Sequence, residues 1–257
     1  MNRQQAYAPF LTAADPAPVE VMNAASRAPL VLLCEHAGQA IPETLDGLGL
    51  DEGVIDTHRG WDIGAEAVAV RIARRLGAPL VVQRYSRLVV DCNRPPDNEG
   101  FAPKVSDGAA IPGNQALSEA DIAERRLVIF DPMNRALDEA FDGVARRATF
   151  SIHTFTPSFR GEARPWHAGF LARKDTETAA RLMAHVAAAD PSLTLALNQP
   201  YQIETDSDWF IPVHAEARGL AHSLIEIRND QLLTTEGADC WADMLSGAIE
   251  AVLEGLS

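Results

Sequence analysis

Pro29-Leu30-Val31-Leu32-Leu33-Cys34-Glu35-His36-Ala37-Gly38, residues 29–38, is the stretch whose reading decides the fold. The apolar run is too short for a buried helix and lacks the alternation of a half-exposed strand. It therefore reads as a strand covered on both faces, the pattern of a parallel sheet. The run stops at a carboxylate and an imidazole, so polar chemistry begins where the strand ends.

Outward from this strand, Ala65, Val68, Ala69, Ile72 and Leu76 recur at helical spacing from Asp62 onward, and Gly77 supplies the stop. Strand signals follow at 80–83 and 87–92. A Gly/Pro/Asn-rich stretch at 95–116 is longer than ordinary connections and reads as a functional loop. Ser118-x-x-Asp121 opens a helix that Pro132 kinks or splits before Arg147. Thr149 to Ile152 is the next strand and delivers His153. A helix at 174–189, a strand at 193–197, a polar loop at 198–212, a strand at Ala221 to Ile227 and a helix at 237–254 complete the chain. Strands alternating with helices predict a three-layer α/β/α sandwich in one domain, 29–257, preceded by a surface arm, 1–28.

Composition excludes several classes. The chain has 257 residues, and its net charge of −14 repels phosphate backbones and anionic membrane surfaces, so neither nucleic acid nor membrane is an expected partner. Cys34, Cys92 and Cys240 are odd in number and widely spaced, which points away from a disulfide framework or a thiolate zinc site and toward a reducing compartment. Residues 1–23 contain no continuous apolar core of signal-peptide length. The cytoplasm is the expected location.

In open α/β sheets ligands gather outside the strand ends. His36 and His153 follow or end strands, and Asp62 starts a helix. Two imidazoles and a carboxylate form a common catalytic metal shell, and a further carboxylate, Glu226, is placed to act as general base. Glu35 is the second candidate for the acidic ligand, since strand alternation points it away from His36. Asp62 could equally serve as a helix cap. Arg87, Asn93, Arg94 and Arg228 suit an anionic substrate. An extended chain would hold Arg87 and Arg94 about 23 Å apart, so both reach one small molecule only if the chain bends between them. His167 and His214 are candidates to line the cleft, whereas His185 and His222 read as structural.

The blocks Val31–Gly38 with Ile41-Pro42, Gly60–Ala65, Ser86–Pro95, Ile152–Pro157 and Ile225–Arg228 resemble, in order and spacing, the N-formylglutamate amidohydrolase family over residues 29–250. That family is similar to the zinc exopeptidases, which include carboxypeptidases and aspartoacylases. The resemblance implies a mixed central sheet of the phosphorylase/hydrolase-like kind, with one divalent ion, taken as Zn2+, at the strand ends. In those relatives an Asn-Arg pair with an arginine upstream binds the substrate carboxylate and polarises its carbonyl, which implies such roles for Asn93, Arg94 and Arg87. The carboxypeptidase-like relatives place a glutamate ligand three residues after the first histidine. Gln39 stands there in this chain, so Asp62 is expected to replace it.

The expectation is a metal-dependent amidohydrolase acting on a small anionic N-acyl amino acid, most simply N-formyl-L-glutamate. His36, Asp62 and His153 hold the metal, Glu226 moves the proton, and Arg87 stabilises the oxyanion. Arg94 and Arg228 take substrate carboxylates, while Thr154, Asn93 and His214 add uncharged contacts. Two alternatives stand beside it: a deacylase or carboxypeptidase-like enzyme on another N-acyl amino acid or peptide, and a non-catalytic anion-binding relative.

Overall fold

The structure is a computed structural model that describes residues 10–256. Its main sheet comprises β1 (Val19–Met22), β2 (Leu30–Cys34), β3 (Leu80–Gln83), β4 (Ala148–Phe155), β5 (Ala168–Leu171), β6 (Leu195–Leu197) and β7 (Ala221–Arg228). The strand order is β1-β3-β2-β4-β7-β5-β6. The central four, β3, β2, β4 and β7, are parallel. β1 joins β3 antiparallel, and β5 joins β7 antiparallel, so the sheet is mixed.

Alternate side chains of each central strand feed two cores. Leu30, Leu32 and Cys34 of β2, with Phe150 and Ile152 of β4, pack under α1 (Ala65–Leu76), α4 (Thr176–Ala189) and α5 (Thr235–Glu254). Val31 and Leu33 face the opposite layer, built from α3 (Asp131–Phe141), the segment 88–102 and residues 210–215. Every residue of β2 is buried, as its continuous apolar run requires. The result is a three-layer α/β/α sandwich. Among the described residues, no helix is long and apolar enough to cross a membrane.

Two strands of the main sheet lay outside the sequence reading. Val19–Met22, assigned to the arm, pairs with β3 along the sheet edge; residues 1–9 of that arm lie outside the described residues. Ala168–Leu171 was hidden by its brevity and by Gly169. A side chain there would meet the carbonyl oxygen of Gln199 at 1.6 Å, so glycine is what lets the 198–200 segment pass. Ser118 opens α2 (Glu119–Arg125) with a capping box, and a π-type turn at 126–130 precedes Asp131-Pro132, where a break was expected.

Residues 87–92 are not a strand. Val89 N and Val90 N both donate to the Ser86 carbonyl, and Arg94 N donates to that of Asp91, which coils the segment into turns. The turns are buried nonetheless, because other side chains satisfy their carbonyls: Asn114 donates to Leu88 O and the buried Arg125 to Val89 O. The coiling removes the extended separation between Arg87 and Arg94.

Two expected cleft residues sit elsewhere. His214 is buried between Phe141 and Phe210, and its Nε2 is 2.6 Å from Asn134 Oδ1, so it belongs to the α3 layer. His167 accepts a hydrogen bond from Thr194 N at the β5–β6 edge. Burial, reinforced by Arg218, pushes His214 down to about 4. The folded state therefore keeps this imidazole neutral while the unfolded chain takes up a proton near pH 6.5. The stability it lends is complete above that pH and is lost as pH falls toward 4. Between pH 7 and pH 5, wild type should lose about 2 kcal/mol more unfolding free energy than His214→Gln, as read from urea midpoints.

Candidate active site

β2, β4 and β7 run parallel and finish at the same edge of the sheet. The register sets Glu226 beside His153, and Leu224 beside Ser151 two residues earlier. Glu35 follows β2 on the face of Ser151, whose hydroxyl donates to its carboxylate. His36 lies one residue further on, where the chain turns, and its carbonyl accepts from Asp62 N at 2.8 Å. Gly38 makes that turn feasible, because a Cβ there would meet the Arg84 backbone at 2.0 Å. The close approach lets Ala40 bond to Arg84 and Ser86, which sets Arg87 beside the strand ends.

Three side chains from separate segments converge: His36, Asp62 and His153, all buried. His153 Nδ1 is 3.2 Å from His36 Nδ1 and 2.9 Å from Asp62 Oδ2, and the last two atoms are 3.7 Å apart. Tetrahedral zinc with bonds of about 2.0–2.1 Å spaces its ligands about 3.3 Å apart. The donor set and its spacing therefore fit a divalent ion. Carboxylates stand behind both rings: Asp91 Oδ1 is 2.7 Å from His36 Nε2, and Glu35 Oε1 is 2.9 Å from His153 Nε2 without hydrogen-bonding alignment. Glu35 is thus placed to orient His153. Asp62, rather than Glu35, meets the ligand atoms.

The electrostatics show an appetite for positive charge. Burial opposes ionisation of Asp62, yet Arg87, with a hydrogen bond from His153 and the nearby His36 ring, holds its carboxyl well below the usual range. Burial likewise opposes charge on His153, and Glu35 and Asp62 overcome it to pull the imidazole far upward. At Asp91, burial is outweighed by His36 and then Arg87, which keeps it ionised. Glu226 behaves differently. Burial is its largest influence and pushes its carboxyl up to about 7, and Oε2 has no hydrogen-bond partner among the described residues.

These groups open onto a cavity of about 420 Å³. Arg87, Asn93, Arg94 and Thr154, each named from the sequence, also line it. Arg87 Nη1 lies 3.3 Å from Asp62 Oδ1. Arg87 and Arg94 both approach Asp91 Oδ2, at 3.9 and 4.0 Å, so one aspartate serves both. Asn93 is more occupied than expected: its Oδ1 accepts from Trp209 N and Phe210 N, and its Nδ2 donates to Asp208. Thr154 Oγ1 is buried and unpartnered.

Arg228 does not face the cavity. Its guanidinium pairs with Asp230 and donates to the carbonyls of Arg164, Pro165 and Trp166, which anchors the loop before β5. Sequence reasoning missed His58, Tyr201 and Asp208 on the cavity wall. His58, four residues before Asp62, has its Nδ1 3.7 Å from Asp62 Oδ1, and burial pushes it down to about 4. Its nearness in sequence to Asp62 was the available signal. Tyr201 and Asp208 fall in the long polar loop.

The chemistry that such a cluster supports is metal-dependent amide hydrolysis, and the protein is a metal-dependent amidohydrolase. Residues 28–233 match the N-formylglutamate amidohydrolase family, and the chain belongs to it. A solved gene product of Agrobacterium tumefaciens is 35% identical, with a TM-score of 0.90 over 96% of this chain and 99% of that one. An N-formylglutamate amidohydrolase from Ralstonia eutropha shares the fold at 19% identity, with a TM-score of 0.67 over 94% of this chain and all of the other. No functionally curated protein sequence matches.

Replacing Glu35 by Gln keeps a hydrogen-bond acceptor for Ser151 but removes the charge behind His153. Metal affinity should fall by about 10–100-fold with the fold intact, measured by chelator competition alongside circular dichroism.

Proposed function

We propose that this protein hydrolyses the amide bond of an N-acyl amino acid, in the first instance N-formyl-L-glutamate, to L-glutamate and formate. The observation that carries the reading is Glu226: a buried carboxyl with one unpartnered oxygen, pushed up to about 7 and set beside His153. A group so tuned both takes and returns a proton near neutral pH.

His36, Asp62 and His153 would hold a divalent ion, read as zinc from the mixed nitrogen and oxygen donors. Such an ion supplies Lewis acidity to the amide carbonyl and makes a nearby water easier to deprotonate. Glu226 accepts the proton of the attacking water as its oxygen bonds to the acyl carbon. Arg87, on the same cavity wall, faces the carbonyl oxygen as negative charge grows there. When the carbon–nitrogen bond breaks, Glu226 returns its proton to the nitrogen, and the amino acid leaves as a free amine. The acyl group is left as a carboxylic acid, which passes its proton to the released amine and leaves as a carboxylate.

Arg94 takes the carboxylate of the amino acid, since its planar fork matches two carboxylate oxygens and it is steered by Asp91 and Asp208. Asn93 holds the 208–210 segment over the cavity, and the free Thr154 hydroxyl offers a hydrogen bond to the substrate.

Glu226→Gln should lower kcat for formate release from N-formyl-L-glutamate on the order of 1,000-fold while retaining about one metal per chain by elemental analysis. Arg94→Met should instead raise KM by about tenfold or more. Full activity in Glu226→Gln would refute the assignment.

A further inference from the structure

Past Arg87 the site continues into a second cavity of about 440 Å³, which shares Arg87, His58 and Tyr201 with the first. Its wall gathers Arg59, Arg160 and Arg164 with Arg87, although the chain as a whole carries a net charge of −14. One aspartate faces them. Asp107 lies 4.0 Å from Arg59 and 3.9 Å from Arg160, which leaves Arg164 with no carboxylate within ion-pair distance among the described residues.

Arg164 is 8% exposed. Its guanidinium is held by aromatic faces, 4.6 Å from the Phe159 ring centroid and 5.0 Å from that of Tyr201. Its one side-chain hydrogen bond among the described residues is a long one, 3.4 Å to Thr156 Oγ1. A buried guanidinium without a counter-charge is costly to maintain, and this one lines a cavity continuous with the reaction site. What it lacks is an anion.

We propose that the second cavity binds a carboxylate at the far end of the acyl group, so that the enzyme favours N-acyl amino acids whose acyl part is a dicarboxylic acid over neutral acyl groups of the same length. The proposal rests on the reading of the site as an N-acyl amino acid hydrolase. The order of the arginines gives the direction: Arg94 lines only the first cavity, Arg87 lines both, and Arg164 lines only the second. With the amino acid at Arg94 and the scissile carbonyl at Arg87, the acyl chain extends toward Arg164.

The test compares kcat/KM for N-succinyl-L-glutamate with that for N-succinamoyl-L-glutamate, which has the same length but ends in a neutral amide. Wild type should favour the charged acyl group by tenfold or more. The ratio should fall to near one in Arg164→Gln and stay at threefold or more in Arg164→Lys, with thermal unfolding checked for both. Calorimetric titration of Glu226→Gln with the same pair should show the same preference in Kd. A ratio near one in wild type, or an unchanged ratio in Arg164→Gln, overturns the subsite while formate release from N-formyl-L-glutamate leaves the reaction standing. Absence of any amide hydrolysis, with charge-dependent binding still seen by calorimetry, overturns the reaction and leaves the anion subsite.

Discussion

Glu35, Asp62 and Glu226 are buried, and Asp91 nearly so, all at one end of the sheet. The arrangement around them follows from the need to compensate that charge. An ionised carboxylate withdrawn from water costs several kcal/mol unless it is paired. Asp62 has Arg87 and two imidazoles, Asp91 has His36 with two arginines nearby, and Glu35 has His153 and Ser151. Glu226 is left without a dedicated hydrogen-bonding partner, and its upward shift is the consequence. The same inventory that holds three of these carboxyls below their ordinary range leaves the fourth raised toward neutral pH.

Compensation on this scale dictates backbone as well as side chains. An extended segment from Arg87 to Arg94 could not bring both guanidiniums to Asp91. The turns anchored on Ser86 and Asp91 can, but they leave buried carbonyls that strand pairing would otherwise have satisfied. Arg125 and Asn114, far from the chemistry, supply those hydrogen bonds from beneath. Gly38 and Gly169 act in the same way at a distance: each clears space for a neighbouring backbone that carries or borders the cavity loops. The site is a property of the layers under it, not of its lining alone.

Periodicity disclosed the elements with strong patterns: β2, α1, α4, α5 and the strand leading to His153. It also disclosed that polar residues collect at strand ends, which brought His36, Asp62, His153 and Glu226 together on paper. It failed where tertiary partners override local pattern. Residues 87–92 read as a strand because Leu88, Val89 and Val90 are apolar, yet burial there comes from packing under α2 and the segment before it. Arg228 and His214 carry suitable chemistry, and nothing local reveals that carbonyls of 164–166 and the α3 layer claim them. His58 and Tyr201 were illegible for the opposite reason, since loops reach a site by routes that spacing does not encode.

The contrast between the whole chain and its cavities completes the physical picture. A net charge of −14 gives a long-range field that repels anionic substrates. At physiological ionic strength that field fades over about 8 Å, whereas the arginines act at contact, in partly desolvated cavities where each charge counts for more. On the proposed reading selectivity resides in short-range geometry: a ligand would have to present its charges where Arg94, Arg87 and Arg164 stand. A lone anion of another shape gains one such contact and still meets the general repulsion. A molecule with correctly spaced charges meets more of that repulsion but gains several contacts, and since the field is screened while contacts act at short range, the contacts decide.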